Sequence, residues 1–579
     1  MKRFIHFTLV LALILGFVSC KKDEILNTAK ETTKDAPVVK NLPPKQKITL
    51  SASSKKPGLR VAYDASKGTD VTDDNTLWQE GDQIAVYNVG VNGSKALFTL
   101  VDGAGTSYGT FEGEIEPTGN YYGIYPFSAA GALDGTSIAI TLPATQNYAE
   151  GSFGQNAAIF AATSTTSGSD VVLNFEPLLG YLSLSLTTLS NTSRDAESRV
   201  GGHSVGSIVL HENSLGGMSL SGAATVDMSS TPQLVSSPTG GGLDVKLNCG
   251  GVQLGSTPKE FIIAVPAGAF SKGLCATVNG TDGKKIMSLA TTASNTITAN
   301  YITQLPAQDV YNIMDIQGNS YPVSKIGPQI WMGENFRCLK YDTNSIGYID
   351  RGEEGASYVL PNQKDDSPYS TYDPQYVDAE DETTWVESGS GSWAAGGIEN
   401  VRRQKAHFGI LYNWAAGMGF LDQASAIANG YMDCSKQQGV CPNGWHMPTF
   451  CDFLYGDGLA GYVNEGGARV NASNIEPSEY CLLSEDGWLA YEGNMARPDD
   501  FGFTAFPAGY CGDGGATVSN PNVGNSAMFL TSTAPAGDYS FYSIYAVCNK
   551  KNVPSGYTEM FSYSGDSKQS FAAVRCLKD

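Results

Sequence analysis

The feature that most limits the fold is a rhythm. From Ile48 to about Pro306, short apolar runs alternate with breaks of Gly, Asn, Asp and Ser, and a turn signal returns about every ten residues. Gln83–Tyr87, Ser137–Leu142 and Leu182–Leu186 are such runs. The last alternates Leu with Ser, the period of a strand with one buried face. Ile48–Ala52, Leu59–Tyr63, Ser207–Leu210, Phe261–Val265 and Ile297–Ile302 also read as strands, and no useful stretch of helical period interrupts them. Glycine supplies 66 of 579 residues and only 16% are charged, so strong helix formers are scarce and an all-β sandwich reading follows. The net charge of −21 argues against a nucleic-acid partner, whose phosphates call for basic surface. It argues equally against docking on anionic lipid through a basic face.

The first residues read as an address. Lys2 and Arg3 precede a mostly apolar Phe4–Phe17 and then Val18-Ser19-Cys20. The run is too short to span a bilayer and reads as a secretion signal. Its small-Cys ending resembles a bacterial lipoprotein signal, which implies removal of residues 1–19 and a lipid on Cys20 that holds the precursor in the outer membrane at the cell surface. Lys21-Lys22-Asp23-Glu24 resembles the surface-export signal of Bacteroidetes lipoproteins. Residues 20–46 are polar, carry Pro43-Pro44, and read as a flexible tether.

Landmarks recur in order through the β region. They are Trp78-Gln79-Glu80-Gly81-Asp82-Gln83-Ile84, Phe111-Glu112-Gly113, Tyr122–Pro126, Leu142-Pro143 with Gln146, and Phe175 with Leu178-Leu179-Gly180. Val265-Pro266 before Phe270 and Asn300-Tyr301-Ile302 follow. Together they resemble the fimbrillin-like proteins of Bacteroidetes. The resemblance implies two tandem transthyretin-like β-sandwich domains, residues 47–188 and 189–308, with the polar Ser190–Gly202 joining them. It also implies a pilus subunit or anchor whose partners are other fimbrial subunits, joined by donor-strand exchange. In such proteins a protease cuts after a basic residue and the first strand leaves. Arg60 is the candidate cleavage residue, with Lys55 and Lys56 as competitors; an ordinary strand-edge Arg60 is the plainer alternative.

Beyond Asp309 the composition changes. Six of seven Trp and eight of eleven Cys lie there, and from Val310 on 16 basic and 32 acidic residues give 16 − 32 = −16 of the −21. Asp315–Tyr321 reads as a hairpin turn before a strand. Gly327–Phe336, Phe408–Ala416, Cys441-Pro442-Asn443-Gly444-Trp445-His446-Met447-Pro448-Thr449, Gly502–Tyr510 and Val574-Arg575-Cys576 follow. In that order they resemble the Fibrobacter succinogenes major paralogous domain. This implies that residues 309–579 form an α+β module of C-type-lectin-like fold, a fold shared with formylglycine-generating enzymes. Thr449 is placed to cap a helix through Phe453 and Leu454.

The chemistry-bearing residues point away from catalysis. An exported chain meets oxidising conditions, so disulfides are expected, Cys249 with Cys275 among them. No Cys-x-x-Cys occurs, and Cys434-x6-Cys441 is a poor zinc spacing. His446 and His407 are the module's only histidines, and His446 reads as structural, since Cys441 and Cys451 beside it in sequence do not make a nucleophile site. Glu476-Pro477-Ser478 and Arg497-Pro498-Asp499 miss the calcium-sugar motifs of lectins, and Asp378–Glu382 lacks the spacing of a calcium loop. No catalytic residue, metal or cofactor is therefore expected. Tyr348–Lys405 is a loop insertion rich in flat rings, which suit glycan or protein recognition. Tyr369, Tyr372, Tyr376, Trp385 and Trp393 are the ligand-binding candidates, with Tyr358 beside them.

A mainly β lipoprotein follows from these readings: a cell-surface fimbrial subunit that accepts a strand and has no free strand to give, hence a pilus tip adhesin. Its partners are other subunits and a host or bacterial surface glycan or protein. The alternatives are a stand-alone surface glycan-binding lipoprotein and an enzyme of the formylglycine-generating type.

Overall fold

The computed structural model describes residues 43–53, 62–63, 76–340 (less 94, 156, 168–169, 213–217, 236–237, 272 and 292–293), 376–378 and 408–579 (less 421–422, 455–457, 460–481, 485–487, 489–498, 500, 512–522, 525 and 548–560). Cys20, Lys55, Lys56, Arg60, Tyr358, Tyr369, Tyr372, Trp385 and Trp393 lie outside the described residues.

The chain is mainly β. Its first strands are β1 (Gln46–Ser53), β2 (Gln83–Asn88), β3 (Ala96–Asp102), β4 (Gly109–Ile115) and β5 (Tyr121–Tyr125). After β6 (Thr145–Asn147), which pairs elsewhere, come β7 (Phe160–Ser167) and β8 (Asp170–Pro177). Seven of these close a barrel in the order β1-β8-β7-β5-β2-β3-β4, with β4 returning to β1. The aromatic landmarks meet in its core. Trp78 stands edge-on to Phe111, Tyr125 and Phe175, with ring centroids 4.9, 5.8 and 5.6 Å away. Gly81 takes the turn with φ +86°, and the buried Asp82 carboxylate accepts the Gln79 N–H at 2.6 Å and the Tyr125 hydroxyl at 3.1 Å.

The next strands are β9 (Gly180–Thr188), β10 (Ser204–Glu212), β11 (Val245–Gln253), β12 (Lys259–Val265), β13 (Leu274–Gly280) and β14 (Lys285–Ala290). β9 pairs antiparallel with β12 and parallel with Ile302–Gln304. Its Leu182, Leu184 and Leu186 enter one core with Leu210, Leu247 and Phe261. The opposite face is covered too: Tyr181 belongs to the barrel-side core and stacks on Phe153 at 4.9 Å. The half-wet strand expected at Leu182–Leu186 is therefore buried on both faces, and Ser183 gives its hydroxyl to Glu260 at 2.7 Å. The buried Gln146 side chain joins the regions, donating to the Ala264 carbonyl at 2.7 Å and accepting its N–H at 3.0 Å.

Two expectations fail here. Ile297–Ile302 is mostly irregular, with a turn at Ala299–Asn300 where Asn300, at φ +72°, donates its N–H to the Leu179 carbonyl at 2.8 Å, and the strand starts only at Ile302. Cys249 and Cys275 form no disulfide; both are buried thiols. They sit on β11 and β13, which flank β10 on opposite sides, and Cys275 opposes His211 whereas Asn248 opposes Ser207. Two strand spacings amount to roughly 10 Å, beyond the reach of a disulfide.

The sheet then runs on into the C-terminal module through β15 (Val323–Ile326), β16 (Gln329–Met332), β17 (Trp445–His446) and β18 (Leu577–Lys578). Its nine strands follow the order β6-β11-β10-β13-β14-β15-β16-β18-β17, with β14 and β15 paired in parallel from Met287↔Val323 to Ala290↔Ile326. Ser288 donates to Ser324 across this junction at 3.0 Å, and Lys285 Nζ donates to Thr504 Oγ1 at 2.6 Å with the Asp499 carboxylate 3.4 Å away. Ser190–Gly202, expected as a plain connector, is docked on the module: the Glu197 carbonyl accepts Trp445 Nε1–H at 3.3 Å, and Asn443 donates to the Ala196 carbonyl.

The described helices of the module are short: α1 (Trp414–Met418), α2 (Gln423–Ala428) and α3 (Phe450–Leu454). Asn413 caps α1 by accepting the Ala416 N–H at 2.9 Å. Thr449 caps α3 as expected, in reciprocal bonds with Asp452 of 3.2 and 2.8 Å. Among the described residues no helix is long and apolar enough to cross a membrane.

Candidate functional site

Strand β1 and the slot it fills are the candidate site. β1 pairs antiparallel with β4 from Gln46↔Ile115 to Ala52↔Gly109, and parallel with β8 from Ser51↔Val172 to Ser53↔Asn174. It is thus the stave that closes the barrel. Alternation sorts its side chains. Leu50 and Ala52 are buried and Ile48 packs on the same core, while Lys47, Thr49 and Ser51 are exposed. Leu50 lies opposite Phe111, which is 0% exposed. Burying one such Leu is worth about 1.5–3 kcal/mol. On the outer face Lys47 Nζ lies 2.9 Å from the Glu112 carboxylate in an exposed pair, worth no more than about 1 kcal/mol. Packing and the backbone ladder, more than charge, hold this strand. Without it, β4 and β8 would present open edges around an apolar slot, an arrangement that takes up an extended segment.

Of the other sequence candidates, only those within the described residues can be placed, and these do not gather into one site. Tyr376 opens a short strand, Tyr376–Asp378, that pairs with Ile410–Tyr412. His446 is buried in β17; its Nδ1 is 2.9 Å from Asp579 Oδ1, and its Nε2 is 3.9 Å from Asp452 Oδ2. Burial pushes the Asp452 carboxyl up, but His446 and the Thr449 hydrogen bonds outweigh it and hold the group below the usual carboxylate range. Cys441 and Cys451 are engaged in the disulfides Cys441–Cys576 and Cys434–Cys451, so neither offers His446 a thiolate. Burial pushes the Cys249 and Cys338 thiols up to about 12, away from reactivity. Among the described residues no group of three or more His, Cys, Asp or Glu stands ready to hold a metal ion.

Sequence reasoning missed the half-buried Lys285 and the fully buried Arg575. Lys285 reaches from β14 into the module, as described above. Arg575 is 0% exposed and donates to Asn335 Oδ1 at 2.9 Å and to the carbonyls of Met332, Phe503 and Thr504. Its signal was visible as a lone Arg in the apolar Ala573-Val574-Arg575-Cys576-Leu577 run. A cavity of about 320 Å³ lies at the seam between β13, β14 and the β15–β16 turn, lined by Leu274, Leu289, Leu305, Pro306, Lys325 and Pro328. None of the predicted site residues lines it.

Residues 324–578 match the family model of the Fibrobacter succinogenes major domain. Among solved structures, a protein of Bacteroides uniformis described as a proposed cell adhesion protein is 16% identical, covering 47% of this chain and 94% of its own, with a TM-score of 0.27. A fimbrial protein of Bacteroides ovatus is 11% identical and covers 91% of this chain and 98% of its own, with a TM-score of 0.22. The fimbrial anchor protein Mfa2 of Porphyromonas gingivalis is 10% identical and covers 49% of this chain and 96% of its own, with a TM-score of 0.22. No curated protein matches the chain.

Proposed function

We propose that this chain is a cell-surface fimbrial subunit, assembled by protease-triggered strand exchange and placed at a pilus tip as an adhesin. The observation that carries this reading is the position of β1 as a barrel stave with three inward side chains, Ile48, Leu50 and Ala52. Lys55, Lys56 and Arg60 follow it directly in sequence. A cut after Arg60 severs β1 from the chain and leaves it held by its ladder and packing alone, so that a strand of another fimbrial subunit takes its place. The same cut frees the subunit from a lipid on Cys20 that carries the precursor to the outer membrane.

The tip position is supported by β18. Leu577 pairs with Trp331 on one side and His446 on the other, and Cys576 beside it is tied to Cys441. A strand held this way is not available for donation. The C-terminal module, read as lectin-like, then makes contact with a host or bacterial surface glycan or protein through Tyr369, Tyr372, Tyr376, Trp385 and Trp393.

A stand-alone surface glycan-binding lipoprotein is the second reading, favoured by the completeness of the barrel, since β1 is paired on both sides. Purified full-length protein treated with an arginine-specific protease and mixed with a filament-forming subunit separates the two. Strand exchange predicts a complex that withstands dilution and appears only after cleavage. A stand-alone receptor gives the same monomer with and without the cut.

A further inference from the structure

The inference here rests on the strand-exchange reading and concerns which strand the slot takes. We infer that the slot vacated by β1 selects its incoming strand by side-chain size. It takes an extended segment of another polypeptide, antiparallel to β4, with large apolar side chains where Ile48 and Leu50 stand and an Ala-sized one where Ala52 stands.

The selection is written in β4. Its inward positions alternate small and large: Gly109, Phe111, Gly113, Ile115. Ala52 is 1% exposed and pairs with Gly109 on one side and Leu173 on the other. The space over Gly109 is already taken. A Cβ placed there would come within 2.7 Å of Leu100 Cδ1 and 2.9 Å of Trp78 Cδ1. Both strands therefore keep small residues at this level, because the Trp78 indole supplies the volume. A bulky residue at the Ala52 position meets a filled core, and interiors packed this densely do not yield cheaply.

At the other end the space over Gly113 is also taken, by the Leu97 carbonyl and the Phe98 ring, but the β1 residue opposite it lies nearer the surface. Ile48 pairs with Gly113 and is only half-buried, so it accepts any apolar residue of similar size. Leu50 between them, opposite Phe111, is the anchor. On the outer face Lys47, Thr49 and Ser51 lie over Glu114, Glu112 and Thr110. Two carboxylates there disfavour an acidic donor, but only weakly, because the pair is exposed.

The test keeps the protein constant and varies the strand. A site-specific protease sequence replaces residues 54–59 of the full chain. After cleavage, fluorescent peptides of the β1 sequence, residues 46–53, compete for the slot and are read by polarisation. The native peptide is expected to displace β1. The Ala52→Leu peptide should bind roughly 10–100-fold more weakly and the Leu50→Ala peptide at least about 30-fold more weakly. The Lys47→Glu peptide should stay within about fivefold. Equal uptake of the native and Ala52→Leu peptides overturns the size rule and leaves strand exchange standing. A loss above tenfold for Lys47→Glu shows that charge selects and overturns the rule likewise. If no peptide enters, the native one included, strand exchange itself fails and the rule with it.

Discussion

Cys441 and Cys576 are joined by a disulfide across a sequence separation of 135, which ties β18 to the Cys-Pro-Asn-Gly-Trp-His turn. The bond restrains a strand that already lies inside the nine-stranded sheet. Replacing both cysteines by serine is expected to lower the stability of the module by about 2–4 kcal/mol, chiefly by freeing the unfolded chain. Urea unfolding followed by tryptophan fluorescence measures it; six of the seven Trp lie in the module. An unchanged midpoint contradicts the role given to the bond.

Thiol mapping separates the disulfides from the buried thiols. Alkylation in denaturant without reductant should label Cys249, Cys275, Cys338 and Cys511, and leave Cys434, Cys441, Cys451 and Cys576 unmodified. In the folded protein at pH 8, Cys249 and Cys338 should stay unlabelled, because burial both hides them and holds their thiols protonated. Peptide mass spectrometry reads both experiments.

Lys285 binds the middle region to the module through Thr504, the Gly502 carbonyl and the half-buried Asp499. Burial pushes the Asp499 carboxyl up, and Lys285 and Thr504 oppose this. Lys285→Met leaves that carboxyl without this cation, and because the pair is only partly buried the loss is about 1.5–3 kcal/mol, the worth of hydrogen bonds to a charged group. Calorimetry should show one transition shared by the middle region and the module in the native chain, because one sheet crosses both. The variant should unfold the module earlier.

The strands were legible wherever one face is wet. β1 and Ser137–Leu142 follow from alternation alone, because period two sorts side chains between core and solvent. Ile297–Ile302 looks the same on paper, but Asn300 adopts the left-handed region and turns the chain. The Cys249–Cys275 pairing misled because closeness in sequence says nothing about which side of β10 a strand takes. Lys285 and Asp499 stand 214 residues apart, a contact that no local pattern announces. The slot was legible as a strand followed by basic residues. Its size rule was not, because Trp78 reaches the level of Gly109 only in the folded barrel.

Acid should loosen the module in a defined way. The Asp452 carboxyl lies below its ordinary value of 3.8, so its ionised form is favoured in the folded state. Its contribution is complete above that value and is lost as pH falls through the lower folded-state value. The native chain should therefore lose urea resistance between pH 5 and pH 2.5 more steeply than Asp452→Asn, and identical slopes contradict this assignment.

The central claim is that β1 leaves and another strand replaces it. N-terminal sequencing of the chain recovered from native cell-surface filaments tests it most directly. A mature start immediately after Arg60, or after Lys55 or Lys56, with residues 20–53 missing from the assembled form, is the result predicted. A lipid-bearing Cys20 at the start of every surface molecule, with β1 intact and no filament attached, is the result that contradicts it.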